Sequence, residues 1–346
     1  MKYLPTSGAN SFVMNTRNII FTSNRFHDVE TVYHQYLDSI YGQLEVRTFL
    51  LMLAEKYLGW DTTAYLLHRH ETINQSVLLN FHWALKDLER QRPIQHIIGN
   101  TTFCNCTIEV SPSVLIPRPE TEEIVLLLIQ HLRNSSFTPT SILDLCTGSG
   151  CIAIALKRAF PSALVVGADI SAEALTIARK NAKSNAADIT FLQTDILNHS
   201  DWSKITRNGT QKQDAPTDKA ETRATSIGKD TSRKTGSKED SFDIIISNPP
   251  YICESERTGM HCNVLDYEPA IALFVKDSDP LVFYRSIGEF ALQHLSPKGI
   301  LALEINEHLG NKTRELLSSL SLLPILFQDF AGKDRCIFCK KDSSPA

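Results

Sequence analysis

The tetrad Asn248-Pro249-Pro250-Tyr251 combines residue types that could hold a planar group bearing an NH2. Asn248 offers an amide oxygen and Pro249 a carbonyl oxygen, so together they could accept both N–H bonds of one nitrogen. The ring of Tyr251 could cover the plane of that group. Each residue that precedes a proline is driven toward an extended backbone, which makes the loop stiff before any ligand arrives. The tetrad therefore predicts chemistry at an amide or amine nitrogen, although a bare Pro-Pro can also simply end a strand.

The position of this tetrad favours the chemical interpretation. It directly follows the apolar run Phe242–Ser247, which predicts a buried strand of a parallel sheet. Ligands of open α/β sheets bind at the carboxyl ends of the strands. The tetrad thus lies where a ligand is expected.

A second motif, Asp144-Leu-Cys-Thr-Gly-Ser-Gly150, joins a short apolar strand to a run of good helix formers. Strand, glycine-bearing turn and helix in this order are typical of the first unit of a nucleotide-binding sheet, and the glycines let a ligand approach the backbone. The pattern Gly148-x-Gly150-x-x-Ala153 would also suit a dinucleotide. This segment alone therefore leaves a dehydrogenase open.

Two acids close the next two predicted strands. Asp169 ends the run from residue 163 and lies nineteen positions beyond Gly150, which suits hydrogen bonding to ribose hydroxyls. Asp195 ends the run from residue 189 in the same way. Hydride transfer has no evident use for a loop that grips an amide. S-adenosyl-L-methionine, a methyl donor with an adenosine body, fits the strand ends and the tetrad together.

Three segments together resemble the HemK/PrmC family, the protein-(glutamine-N(5)) methyltransferases of peptide chain release factors. They are Asp144–Gly150, Asn248–Tyr251 and Ile116-Pro-Arg-Pro-Glu-Thr-Glu-Glu123, and the last is the most specific. The tetrad itself is shared with enzymes that methylate amines of nucleic acids. The resemblance runs from about Val29 to Lys341. It implies methylation of the glutamine amide in the Gly-Gly-Gln motif of release factors, with S-adenosyl-L-methionine as methyl donor.

The resemblance also implies a role for each site residue. The residues expected to bind the cofactor are Cys146, Thr147, Gly148, Ser149 and Gly150 under its methionine part, Asp169 at the ribose, Asp195 and Ile196 at the adenine, and Thr121 and Asn248 at its border. The residues expected to bind the substrate are Asn248, Pro249, Pro250 and Tyr251, of which Asn248, Pro249 and Tyr251 are expected to be catalytic. Cys146 stands where the family usually has glycine, so it would be strained if its φ is positive.

The patterns predict an α/β fold: a Rossmann-like class I methyltransferase sheet with helices on both faces, preceded by a small N-terminal helical bundle and a β-hairpin linker. Apolar residues at helical spacing, beginning with Val29, Val32, Tyr33 and Tyr36, indicate the bundle. The predicted domains are residues 26–92 for a helical substrate-recognition domain, 93–115 for the linker, built from 93–99 and 102–110, and 116–341 for the methyltransferase domain. Residues 1–25 are expected to be unstructured or a mis-assigned start.

Residues 207–241 differ from their surroundings. They contain eight basic and six acidic residues, and Ile227 is their only large apolar residue. Such a composition cannot bury enough surface to fold, so a disordered insertion is predicted. A role in RNA binding is conceivable, but a tolerated solvated loop is the favoured interpretation.

Composition bounds the remaining alternatives. With 346 residues, 42% hydrophobic, the chain is long enough for two cores, and its net charge of −4 gives no general attraction to nucleic acid. A methyltransferase acting on an exocyclic amine of a nucleic-acid base is the second hypothesis, and a cofactor-binding protein without catalysis is the third. Scattered cysteines without an export signal indicate a cytoplasmic protein, with no direct nucleic-acid or membrane partner, and monomer is the default.

Four further residues invite a catalytic or metal-binding interpretation. His96 is interpreted as structural, because nothing near it in sequence forms a relay. The pair Cys336-x-x-Cys339 lacks a second pair or a His cluster, so strand residues are favoured over a metal site, and no metal is predicted. Glu268 is interpreted as a loop-positioning residue, because methylation of a neutral amide demands no general base.

Overall fold

The computed structural model describes residue 21 and residues 23–135, 137–207 and 241–342. Apart from residues 21 and 23–25, the predicted unstructured start at 1–25 lies outside the described residues, as does the predicted insertion at 207–241 except for its first and last residues. Contacts between residues divide the chain into two compact units, Met1–Ile94 and Gln95–Ala346. Within the described ranges, no helix is both long and apolar enough to cross a membrane.

The first unit is helical, as its apolar periodicity predicted. Its helices are α1 (Phe26–Tyr41), α2 (Gln43–Leu58), α3 (Thr62–Leu67) and α4 (Gln75–Glu89). On α1, the side chains of Phe26, Val29, Tyr33 and Leu37 are fully buried at the i, i+3, i+4 spacing of one helix face. The Tyr33 hydroxyl donates to the carbonyl of Phe81 on α4 over 2.7 Å, so α1 and α4 share one core.

A short helix, α5 (Ile94–Ile98), precedes the hairpin of β1 (Asn100–Phe103) and β2 (Cys106–Glu109). The prediction that residues 93–99 supply one hairpin strand is therefore wrong. Ile94 and Ile98 are buried one helical turn apart, and Pro93 precedes a helix as readily as a strand. The hairpin turns instead through Cys104 and Asn105, which have φ values of 48° and 59°.

The rest of the second unit alternates helices and strands. In chain order these are α6 (Pro119–Asn134), β3 (Ser141–Leu145), α7 (Cys151–Ala159), β4 (Leu164–Asp169), α8 (Ala172–Ser184), β5 (Thr190–Gln193), β6 (Phe242–Ser247), β7 (Ile252–Cys253), α9 (Cys262–Leu265), β8 (Phe274–Val275), α10 (Val282–His294), β9 (Leu295–Glu304), α11 (Gly310–Ser319), β10 (Leu322–Gln328) and β11 (Asp334–Lys341). Helix α6 begins with Pro119, which suits a first turn because its missing N–H would have no partner there.

Seven strands form one sheet in the order β10-β11-β9-β6-β3-β4-β5. Strands β3, β4, β5, β6 and β9 run parallel, while β11 is antiparallel to both β9 and β10. The chain moves outward from β3 to β5 and then returns to the other side of β3 with β6. The carboxyl ends of β3, β4 and β6 therefore border the crevice where an open α/β sheet binds its ligand.

Both faces of this sheet are covered by helices, as predicted. On β3, Ile142 packs in the core that includes α6, α7 and α8, whereas Leu143 packs in the core that includes α10 and α11. Successive strand residues point to opposite faces, so β3 supplies both cores. The sheet is therefore packed between two layers of helices, and the strand ends that carry the loops are held in place.

Candidate active site

The glycine-bearing loop between β3 and α7 is fixed by two carboxylates. Asp144, fully buried, accepts from the Thr147 hydroxyl over 2.5 Å and from the Ala153 N–H over 3.2 Å through Oδ2. Its Oδ1 has no hydrogen-bond partner among the described residues. Burial raises the pKa of Asp144 to about 7. At the other side of the loop, Asp169 accepts from the N–H of Gly148 over 2.8 Å.

Gly148 and Gly150 serve different purposes in this loop. Both have positive φ, at 53° and 79°. A Cβ on Gly148 would meet no atom within 4 Å, so the room beside it belongs to the open cleft. A Cβ on Gly150 would lie 3.1 Å from the Cβ of Ala178, so this glycine allows α7 to pack closely against α8.

Cys146 has a φ of 59°, so the residue that replaces the family's usual glycine occupies the left-handed region. A non-glycine residue there costs roughly 1–2 kcal/mol. Its thiol lies within hydrogen-bonding reach of Ser247, and burial followed by the nearby Asp169 raises its pKa. The thiol therefore stays protonated at neutral pH and is a weak nucleophile.

Asp169, at the end of β4, suits a ligand that carries hydroxyl groups. Its Oδ1 accepts from the Ser171 N–H over 2.9 Å, and its Oδ2 already accepts from Gly148. A carboxylate oxygen accepts more than one hydrogen bond, so each oxygen can take a further donor. Burial raises the pKa of Asp169, while these backbone N–H groups oppose the rise.

These strand ends border one cleft of about 230 Å³. The residues predicted to bind the cofactor or substrate that line it are Thr121, Cys146, Thr147, Gly148, Ser149, Asp169, Asp195, Ile196, Asn248 and Pro250. Gly150, Pro249 and Tyr251 adjoin these residues in the chain but do not line the cleft. The two motifs, about one hundred residues apart in sequence, thus meet at one small-molecule site.

The residues that line this cleft offer groups that fit S-adenosyl-L-methionine. The open room beside Gly148 and the spare lone pairs of Asp169 suit the close passage of a ligand with ribose hydroxyls. Ile196, which is 5% exposed, and Leu197 add apolar surface beyond Asp195 at the end of the adjacent strand β5.

The loop that carries the tetrad is held by a buried acid that the sequence motifs did not identify. Glu304, at the end of β9, is 2% exposed. Its Oε2 accepts from the Thr121 hydroxyl over 2.7 Å, and its Oε1 accepts from the Tyr251 hydroxyl over 3.0 Å. Asn248 Nδ2 in turn donates to the Thr121 oxygen over 3.1 Å. One feature of the sequence could have identified Glu304: it is an acid within the apolar run from Ile300 to Ile305.

Asn306, two residues further along, fixes the backbone of the same loop. It is 3% exposed, and its Nδ2 donates to the Tyr251 carbonyl over 3.1 Å and to a Glu256 carboxylate oxygen over 3.0 Å. That Glu256 oxygen also accepts from the N–H of Cys253 over 3.0 Å. The end of β9 therefore anchors both the side chain and the main chain of Tyr251.

Another buried carboxylate joins two segments that line the cleft. Glu268 accepts from the N–H of Ile116 over 3.0 Å and pairs with the guanidinium of Arg118. Arg118 and Pro117 line one side of the cleft, and Pro269, Ile271 and Ala272 line another. The contacts agree with the interpretation of Glu268 as a loop-positioning residue.

The other three residues considered for catalysis or metal binding lie elsewhere. His96 is 6% exposed and does not line the cleft. Cys336 packs in the core on the face of α6, whereas Cys339 packs in the core on the face of α10. Two thiols on opposite faces of a sheet cannot bind one metal ion, so the interpretation of both as strand residues is confirmed.

Comparison with known proteins agrees with these motifs. The family model for the PrmC N-terminal domain matches residues 45–99, and the model for the methyltransferase small domain matches residues 122–208. The chain is 38% identical to the release factor glutamine methyltransferase of Flavobacterium psychrophilum, over 89% of this chain and 96% of that protein. It is 34% identical to the protein of the same name from Bacteroides thetaiotaomicron, over 88% and 95% of the two chains. The chain therefore belongs to the family of release factor glutamine methyltransferases.

Proposed function

We propose that this enzyme transfers the methyl group of S-adenosyl-L-methionine to the side-chain amide nitrogen of the glutamine in the Gly-Gly-Gln motif of peptide chain release factors. The observation that carries the proposal is that Asn248 lines the same cleft as Gly148 and Asp169. A group able to grip an amide thus borders a site suited to an adenosine-bearing methyl donor. Membership of the family supports the choice of substrate.

The cofactor would be held mainly by the carboxyl ends of β3, β4 and β5. The loop from Cys146 to Gly150 would pass under its methionine part, and Asp169 would accept from the ribose hydroxyls. Asp195 and Ile196 would flank the adenine, while Thr121 and Asn248 would border the reacting end. When bound, S-adenosyl-L-methionine supplies a methyl group on a positively charged sulfur, which a nucleophile can attack.

The task of the tetrad would be to align a poor nucleophile. The lone pair of an amide nitrogen is shared with its carbonyl, so transfer depends on holding nitrogen, methyl and sulfur in line. Good alignment is worth on the order of 7–11 kcal/mol. Asn248 Oδ1 and the Pro249 carbonyl would accept the two N–H bonds of the glutamine. Both acceptors also favour positive charge that develops on the nitrogen in the transition state. Pro250 would keep the loop stiff, and the Tyr251 ring would pack on the amide.

The helical unit from α1 to α4 would contribute to recognition of the release factor. Support comes from the family-model match at residues 45–99 and from two apolar side chains one turn apart on α4, Leu79 and Trp83, which are 52% and 57% exposed. We expect Trp83→Ser to raise KM for the release factor by roughly tenfold, because exposed aromatic residues often anchor interfaces. Affinity for S-adenosyl-L-methionine should not change. Unaltered KM, measured by titrating the release factor, would argue against this role.

The cellular setting follows from the substrate and the thiols. All eight cysteines are free, which supports a reducing cytoplasm. We take the enzyme to be cytoplasmic and to act on free release factors, and we take it to be a monomer as the default. Size-exclusion chromatography with light scattering tests it, and a stable dimer would contradict it.

The assay that tests the function uses S-adenosyl-L-methionine carrying a labelled methyl group. The enzyme is incubated separately with purified release factor and with total RNA, and a release factor with the motif glutamine changed to alanine serves as control. Label in the unaltered release factor alone supports the proposal. Label in RNA alone would establish a nucleic-acid methyltransferase instead, and no label in either would leave only cofactor binding.

A further inference from the structure

We propose that Glu304 is a positioning residue for methyl transfer: its carboxylate sets the direction of a hydrogen-bond chain that turns the amide oxygen of Asn248 toward the substrate. This inference rests on the proposed role of Asn248. It assigns a function to a side chain that belongs to neither sequence motif.

The direction of the chain follows from the donors and acceptors available. An ionised carboxylate only accepts, so the hydroxyl of Thr121 must donate its single proton to Glu304 Oε2. The Thr121 oxygen can then only accept from Asn248. The Asn248 side chain has donors on Nδ2 alone, and Nδ2 lies 3.1 Å from that oxygen. The charge on Glu304 therefore decides which end of the Asn248 amide faces Thr121.

The remaining end of the Asn248 amide is the acceptor that the reaction needs. Asn248 lines the cleft, and its Oδ1 accepts no hydrogen bond from any residue that the structure describes. A flipped Asn248 would present an NH2 group to the NH2 of a glutamine, and two donors repel each other. The proposed grip thus works in only one of the two amide orientations.

The second carboxylate oxygen of Glu304, Oε1, binds Tyr251 directly. Burial, followed by the charge of Glu304, raises the pKa of Tyr251, so its hydroxyl stays protonated and donates to Oε1. One buried carboxylate thereby holds the side chains at both ends of the tetrad.

Burial raises the pKa of Glu304 to about 6, and the hydrogen bonds from Thr121 and Tyr251 oppose that rise. Titratable, charged and donor groups face it from each packed element: Glu120 and Thr121 from α6, Tyr251 from the tetrad, Tyr284 from α10, and Arg335 and Cys336 from β11. Arg335 also pairs with Asp329 over 2.9 Å and with Glu307 over 3.3 Å. At pH values well above 6 the carboxylate is ionised, and the hydrogen bonds run from Asn248 through Thr121 to Glu304. Protonation below that pH adds a donor to Glu304 and removes the constraint on Thr121.

Two variants test the chain in steady-state methylation of a release factor. Thr121→Val keeps the shape of the side chain but has no hydroxyl that could donate to Glu304 and accept from Asn248. We therefore expect kcat to fall roughly tenfold or more. Thr121→Ser keeps the hydroxyl and should stay within about threefold of the unaltered enzyme. For the unaltered enzyme we expect kcat to fall below about pH 6, and Glu304→Gln should lower kcat and abolish that fall. Glu315→Gln, the same charge change at an exposed position of α11, is the matched control and should leave kcat and its pH profile unchanged.

The outcomes separate this inference from the proposed function. Unaltered kcat in Thr121→Val, or an unaltered pH profile in Glu304→Gln, would overturn the inference. If Asn248→Ala lowers kcat in the same assay while these variants do not, only the role of Glu304 fails. If Asn248→Ala retains full kcat, the proposed function of the tetrad fails as well. Thermal unfolding and affinity for S-adenosyl-L-methionine, measured for each variant, distinguish lost positioning from lost folding, and Thr121→Val still tests the chain if Glu304→Gln does not fold.

Discussion

The two halves of the cleft, a proposed cofactor half and a proposed substrate half, are held in different ways. The cofactor half, from Cys146 to Asp169, is fixed by backbone groups: the N–H groups of Gly148, Ala153 and Ser171 all bind the carboxylates of Asp144 or Asp169. The substrate half, around Asn248, is fixed by side chains that reach it from α6 and β9. A loop held by its main chain tolerates a changed side chain, whereas a chain of side-chain hydrogen bonds fails when one member is lost.

Cys146 and Thr121 illustrate this difference. Cys146 stands in place of a glycine that its φ of 59° would favour, yet the backbone hydrogen bonds of its loop remain. Thr121 has no such freedom, because its hydroxyl must donate to Glu304 and accept from Asn248 at the same time. Substitutions should therefore affect turnover most in the substrate half, and affinity or stability more modestly in the cofactor half.

The largest effect is expected at Asn248. Asn248→Ala removes the proposed acceptor for the substrate amide while leaving the loop from Cys146 to Gly150 and Asp169 intact, so kcat should fall roughly 10²- to 10³-fold. Affinity for S-adenosyl-L-methionine should stay within about threefold. Single-turnover kinetics and calorimetry measure the two quantities. A variant that loses cofactor affinity and turnover equally would remove the distinction between the two halves.

A smaller effect is expected at Asp169, where affinity for S-adenosyl-L-methionine should fall more than kcat. Asp169→Ala removes the proposed ribose acceptor and the partner of the Gly148 N–H, and a hydrogen bond to a charged group is worth about 1.5–3 kcal/mol. Affinity for S-adenosyl-L-methionine should fall by roughly 10- to 100-fold, while kcat at saturating cofactor should change less. Glu173→Ala, which removes an exposed acid at the start of α8, is the control. Equal losses in the two variants would argue against a specific role for Asp169.

The smallest effect is expected at Cys146. Cys146→Gly removes the cost of a left-handed backbone, whereas Cys146→Ala keeps that cost and removes the thiol. The glycine variant should therefore be more stable than the alanine variant by about 1 kcal/mol. Chemical denaturation monitored by circular dichroism measures the difference. Equal stabilities would show that the positive φ at Cys146 carries no strain.

Features encoded by neighbouring residues could be predicted from the sequence. The strands that end at Asp169 and Ser247 were visible as apolar runs with an abrupt stop, and the glycine loop followed from its own residue types. The switch of strand order at β3 then brought the motifs together, as it does in other sheets of this class. The family resemblance added the substrate, which no local pattern specifies.

Features that depend on distant contacts were missed. Glu304 acquires its role only through Thr121, 183 residues earlier, so a local pattern shows no more than an acid in an apolar run. Strand β10 was also missed, because Pro324 interrupts it and proline disfavours a strand except at a sheet edge, where β10 lies. Residues 93–99 were predicted to belong to the hairpin because a short apolar run does not distinguish a strand from a helix.

The hydrogen bonds that link Asn248 through Thr121 to Glu304 also bear on when the enzyme becomes competent during its synthesis. The loops proposed to hold the cofactor come mostly from residues 141–196, one continuous stretch of the chain. Asn248, by contrast, depends on Thr121, 127 residues before it, and on Glu304 at the end of β9. A nascent chain that stops before β9 therefore lacks the acceptor of the Thr121 hydroxyl, so competence for transfer requires β9 as well as the loops proposed to hold the methyl donor.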